Sequence, residues 1–145
     1  MDPPRSAQQR KADTLRRLER DRDLWVASAS ADGEAMLVPL SFHWHEGGLT
    51  LATPAATRTA RNLLRAGVAR VALGPTRDVV LIDGRLSIAV ADALIDAYAA
   101  HTGWDPRQES VPHALLRLEP LRIQAWREVN ELAGRHIMRD GSWVV

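Results

Sequence analysis

The order of apolar and polar positions divides the chain into a run of strands interrupted by three helical stretches. Ala7 to Arg22 carries Leu15 and Leu18 as a thin apolar stripe among charges, the pattern of a surface helix. Leu24 to Ser30 (LWVASAS) reads as a strand, and Asp32-Gly33 supplies a hairpin signal after it. Met36 to Trp44 is the next strand. It contains Pro39, which cannot donate a ladder hydrogen bond, so this position faces an edge, a bulge or a ligand. His45-Glu46-Gly47-Gly48 turns the chain into a third strand, Leu49 to Thr53. Thr57 to Ala66 is helical, with Gly67 as its C-cap. Two strands follow, Val68 to Gly74 and Val79 to Val90, the second bent at Asp83-Gly84. Ala91 to Thr102 is helical and ends at Gly103, and His113 to Trp126 predicts a long strand broken or bulged at Pro120. Residues 128–145 show no regular period.

Hairpins rather than helical crossovers join these strands. That argues against a doubly wound parallel sheet and for a mainly β, α+β fold: a small antiparallel barrel with helices packed outside. One domain is expected over residues 7–145, with a helix at 7–22, the barrel at 24–126 and a tail at 128–145. Residues 1–6, with Pro3 and Pro4 and little to bury, are expected to be disordered.

At 145 residues with 46% hydrophobic positions, the chain can bury roughly 70% of its unfolded surface in one core. Nineteen basic against 18 acidic residues give no global field that would favour nucleic acid or an acidic membrane. Nearly all the basic residues are arginine, Lys11 being the one lysine. The absence of cysteine excludes disulfides, thiolate nucleophiles and Cys-based zinc sites. The polar N-terminal segment lacks the apolar stretch of a secretion signal, and no run approaches the roughly 18 apolar residues of a membrane span, so a cytoplasmic location is expected.

Two segments carry candidate chemistry. Around Thr57-Arg58-Thr59-Ala60-Arg61-Asn62 the chain leaves a strand and enters a helix. Thr57 or Thr59 can cap that helix, its free first-turn N–H groups favour an anion, and Arg58 and Arg61 can add bidentate bonds to phosphate. An ordinary cap with solvated arginines fits the same local pattern. Neither GxxxxGK[ST] nor the Gly-rich dinucleotide fingerprint is present. In the strand before it, alternation puts Leu40, Phe42 and Trp44 on one face and Ser41, His43 and His45 on the other. That polar face can line a ligand groove or lie on the surface. As a metal site it lacks a clear third ligand beyond Glu46. Trp104 and Trp143, in predicted loop and tail, can stack on a ring-shaped ligand or join the core or an interface. There is no G-x-S-x-G, no H-E-x-x-H and no carboxylate pair with obvious roles, so chemistry by this chain calls for a cofactor.

Taken as a set, Val38-Pro39-Leu40, Leu49-Thr50-Leu51-Ala52-Thr53, Thr57 to Leu63 and Val68 to Gly74 match a family in order and spacing. The chain resembles the flavin-binding split-barrel proteins related to pyridoxamine 5'-phosphate oxidase, which include flavin- and deazaflavin-dependent oxidoreductases. The resemblance spans roughly Leu24 to Trp126. It implies a six-stranded antiparallel split barrel that forms a homodimer, with cofactor grooves between the subunits. The Val38-Pro39-Leu40-Ser41 backbone would run along the isoalloxazine edge. Thr53, Thr57, Arg58, Thr59 and Arg61 would hold the phosphate, and Asn62 would steady the helix start. Many relatives carry lysine where this chain has Thr59, so Arg58 or Arg61 would supply that charge. The implied cofactor is FMN, or alternatively the deazaflavin coenzyme F420, passing hydride to or from a small organic acceptor. Oxidation of pyridoxamine phosphate itself is not expected, because the C-terminal arginine and histidine pattern of the true oxidases is not found. The alternatives are a flavin- or tetrapyrrole-binding module without turnover, using the His43/His45 face, and a structural homodimer whose site has decayed.

Overall fold

A computed structural model describes residues 1–89 and 91–145. Six strands build the barrel: β1 (Asp23–Ala29), β2 (Ala35–His45), β3 (Gly48–Pro54), β4 (Val68–Leu73), β5 (Val79–Ile88) and β6 (His113–Trp126). They pair antiparallel in the order β3-β2-β1-β4-β5-β6, and β3 pairs with β6 to close the ring. Helices α1 (Ala7–Arg20), α2 (Arg58–Ala66) and α3 (Asp92–Thr102) pack outside, and two short strands, β7 (His136–Arg139) and β8 (Ser142–Trp143), extend the sheet beyond β6. The expected α+β barrel with peripheral helices is what forms. The expected strand end at Val90 lies outside the described residues.

The alternation read from the sequence fills the interior. Leu24, Val26, Phe42, Leu49, Leu51, Val71, Ile82, Leu116, Leu118 and Ile123 form one buried cluster. Leu18 from α1 and Leu63 from α2 join it, so each helix is anchored by a side chain whose burial is worth about 2 kcal/mol. Tight turns set the hairpin registers. Glu46 and Gly47 both take left-handed backbone (φ 50° and 73°) between the paired His45 and Gly48, the two-residue geometry that matches strand twist.

Between β5 and β6 the register shifts at Asp83/Gly84: Asp83 faces Arg122 but Gly84 faces Pro120, leaving Leu121 as the extra residue. The predicted breaks at Asp83-Gly84 and Pro120 are therefore two sides of one bulge. A Cβ on Gly84 would stand 2.4 Å from the Glu119 carbonyl oxygen, so only glycine fits there.

Both chain ends depart from expectation. Helix α1 stops at Arg20, because Asp21 turns extended (φ −72°, ψ 152°). Ser6 caps the helix by accepting from the Gln9 N–H at 3.1 Å. Arg5, in the stretch expected to be disordered, donates through its backbone and side chain to both carboxylate oxygens of Glu131 at 2.8–3.0 Å. The tail is more regular than its sequence period indicated: Met138 pairs with Ile123 and Trp143, and Trp143 packs on the core beneath the Lys11 ammonium, 4.8 Å from the ring centroid.

Candidate functional site

Strands β2 and β3 pair only over Phe42–His45 and Gly48–Leu51. Beyond that they part: β3 continues along β6, while Ala35–Ser41 stays bonded to β1 and has no strand on its other side among the described residues. Val38, Pro39, Leu40 and Ser41 thus lie on a free edge, one of the three settings expected for the proline. Across the parting, Thr53 lies next to the end of β3 at 3% exposure, and the chain turns through residues 55–57 into α2.

Thr57 is the cap of α2. Its hydroxyl accepts from the Ala60 N–H at 3.2 Å and donates to the Pro54 carbonyl at 2.8 Å, fixing the approach to the helix. The Arg61 N–H reaches the Thr57 carbonyl, whereas those of Arg58 and Thr59 find no acceptor among the described residues. They are the unsatisfied first-turn donors that favour an anion. Arg58 is held by one long contact, 3.5 Å to Glu34, and Arg61 donates to the Ala56 carbonyl at 2.8 Å. Both side chains remain exposed around the helix start.

The other two expected residues face elsewhere. Thr59 is 4% exposed and turned inward, so it offers the helix start a backbone N–H and not its side chain. Asn62 is buried too; its Nδ2 donates to Ser28 Oγ at 3.3 Å, tying the middle of α2 to β1 rather than bracing the helix start.

The Ser41/His43/His45 face is not an open groove. Helix α3 lies across it, and the His101 ring sits 4.6 Å from His43, which in turn stacks on His45 at 5.4 Å. His101 Nε2 meets the Asp21 carbonyl at 3.2 Å. Burial, reinforced by the positive fields of His101, His45 and Arg117, lowers the His43 imidazole from 6.5 to about 4, so it is neutral at physiological pH. Among the described residues no group of three or more His, Cys, Asp or Glu can hold a metal. Tyr98 of α3 is fully buried, and burial followed by the Asp23 charge raises its phenol above the ordinary value. No local pattern marks Tyr98 and His101 as the cover for this face, since the contact joins residues far apart in the chain. Trp104 is held edge-on to Tyr98 and His113, and its indole donates to Glu109 at 2.6 Å, so it is engaged within the fold.

A model of the pyridoxamine 5'-phosphate oxidase family matches residues 12–127, and the chain belongs to that family. No curated protein matches it. Among solved structures it is similar to a FAD-binding protein from Mesorhizobium loti (19% identity, 85% of this chain and 93% of the other, TM-score 0.62). It is also similar to an F420 reductase (13%, 73% and 91%, TM-score 0.59). A heme-binding protein from Mycobacterium smegmatis shares the fold over 97% of this chain and 60% of its own (17%, TM-score 0.66). At these identities the likeness is one of fold.

Proposed function

We propose that the chain binds a phosphate-bearing flavin-type cofactor and transfers hydride between it and a small organic acceptor. FMN is the first candidate and the deazaflavin F420 the second. The observation that carries this reading is the α2 start: two unsatisfied amides and two exposed guanidiniums beside a free strand edge. These fit a phosphate on one side of the opening and a flat ring along Val38–Ser41 on the other. Family membership and the FAD-binding and F420 reductase neighbours support the reading.

When bound, the ring system itself carries the hydride. The protein's part is binding and placement. The amides of Arg58 and Thr59 would donate to the phosphate along the helix dipole, and Arg58 and Arg61 would neutralise it. Thr57 holds the loop that aims those groups. The backbone of Val38–Ser41, unpaired on its open side, has polar groups available to a ring edge.

A second copy of the chain would complete the groove. Trp25, Leu37 and Pro39 are exposed on neighbouring strands of the barrel's outer face, an apolar patch suited to a homodimer contact.

Parallel absorbance and fluorescence titrations of purified protein with FMN and with F420 test the reading. Micromolar binding of either one, followed by loss of the reduced-cofactor signal when a quinone is added, is expected. If neither binds, the proposal is wrong. Binding without acceptor reduction identifies a carrier instead of an enzyme.

A further inference from the structure

A second groove, of about 680 Å³, lies on the outer face of the barrel where the second half of α2 overhangs β1, β4, β5 and the β6 bulge. It is separate from the helix start: Arg65 is seven residues beyond Arg58, about 10 Å along the axis. Its charged lining is three arginines (Arg65, Arg70 and Arg122) and a single carboxylate, Asp83. Ala27, Ala66, Ala69 and Leu121 supply apolar wall.

The bulge organises these charges. Asp83 sits where the register shifts, between Arg70 on β4 and Arg122 on β6. Arg70 Nε and Nη2 donate to its two oxygens at 2.6 and 3.2 Å, and Arg122 Nε and Nη2 reach Oδ2 at 3.0 Å. Each guanidinium is thereby fixed in orientation while its Nη1 keeps no protein partner among the described residues. Arg65 adds a third, anchored through Nη2 to the Ala29 carbonyl. One carboxylate cannot neutralise three guanidiniums, so the groove keeps a net positive charge. The adjoining cleft, about 440 Å³ and sharing Asp83, Leu121 and Arg122, is lined further by His136, Arg139 and Asp140. Burial, and then the charges of Arg139, Arg135 and Arg122, holds the His136 imidazole below its ordinary value.

We propose that this groove is a second ligand site, taking a small molecule that carries a phosphate or carboxylate on an apolar body. The two guanidiniums clamped by Asp83 and the one from α2 would bind the oxyanion, and the alanine and leucine wall would take the body. Arg70 and Arg122 are 52% and 48% exposed, but their pairing with Asp83 holds the guanidiniums, so they lose less freedom on binding than unpaired surface arginines do.

Isothermal titration of the full chain with phenyl phosphate at low salt tests this, with benzoate, phenol and inorganic phosphate as comparison probes. Phenyl phosphate is expected to bind with a dissociation constant of about 1 mM or tighter. Phenol and inorganic phosphate, each with half of the recognised chemistry, should bind at least about tenfold more weakly. Benzoate binding as tightly as phenyl phosphate would mark a carboxylate site, and weaker benzoate a phosphate site. The Arg65→Gln/Arg122→Gln double variant should lose about tenfold or more in affinity. Arg65→Gln alone, on the exposed helix face, should lose about threefold and covers the case in which the double variant does not fold. Arg58→Gln/Arg61→Gln should leave in place the component of binding that the Arg65/Arg122 change removes. Absence of binding at 10-fold above the expected constant, binding indifferent to the Arg65/Arg122 change, or binding lost with Arg58/Arg61 would each overturn the proposal, the last by assigning the anion to the helix start.

Discussion

Helices α1 and α2 both begin with a hydroxyl cap next to an arginine, yet the two arginines have opposite fates. Arg5, beside the Ser6 cap, has a side chain 9% exposed and bridges Glu131 and Asp13 at 2.8 and 3.0 Å. Glu131, itself 3% exposed, also accepts the Arg127 N–H at 2.8 Å. Arg58, beside the Thr57 cap, is 66% exposed and touches only Glu34, 64% exposed, at 3.5 Å. The first start spends its charge on holding the chain ends to the barrel, and the second keeps its charge for something else. An arginine therefore becomes a binding candidate by what the fold leaves unpaired, not by its place in a motif.

The largest expected effect tests the spent end of that contrast. Glu131→Gln removes the carboxylate from under Arg5 and should cost about 3 kcal/mol, read by urea unfolding. Its hydrogen bonds to Arg5 hold the Glu131 carboxyl down to about 2 from 4.5. The stabilisation is therefore complete above about pH 4.5 and is lost as pH falls toward 2, and the variant should flatten that part of the stability curve. If it does not, the chain ends are held by apolar contacts alone.

Thr57→Ala, at the second start, should cost about 1 kcal/mol through the lost cap and weaken cofactor binding as well. A melting curve and a cofactor titration on the same sample separate the two effects. His43→Gln tests the covered face. The neutral imidazole is the form the fold prefers, so its contribution is complete above about pH 6.5 and shrinks as pH falls toward about 4. The wild type should lose about 1 kcal/mol across that window, after allowance for solvent screening, and the variant distinctly less.

The smallest expected change in stability is at Arg58 and Arg61. Replacing both with glutamine should move unfolding by no more than about 0.5 kcal/mol while lowering cofactor affinity about tenfold or more. The reverse outcome, lost stability with unchanged affinity, would make the two helix starts alike.

Local signals made the barrel legible. Period-two alternation gave β6 its bounds from His113 to Trp126, Gly67 takes the left-handed backbone (φ 67°) expected of a C-cap, and Thr57 caps the helix that its position suggested. What escaped notice depends on partners far along the chain. The Arg5–Glu131 bridge spans 126 positions, and His101 of α3 reaches His43 across 58 positions, so neither leaves a short-range period. Strands β7 and β8 hold four and two residues, too few for alternation to show, and the Asp140-Gly141 turn was their one visible mark. At the candidate site the residue types were legible but not their directions: Thr59 and Asn62 share the helix with Arg58 and Arg61 and face inward.

The proline at the free edge of β2 has a further consequence. Pairing of β3 with β6 closes the ring, so Ala35–Ser41, bonded to β1 on one side, keeps its other edge unpaired among the described residues, the kind of surface on which another chain can add a strand and begin an aggregate. Pro39 has no N–H to give an incoming strand. The residue that leaves this opening accessible to a small ligand also makes it a poor template for self-association, so exchanging Pro39 for a β-branched residue would trade solubility for pairing at the very edge the ligand would use.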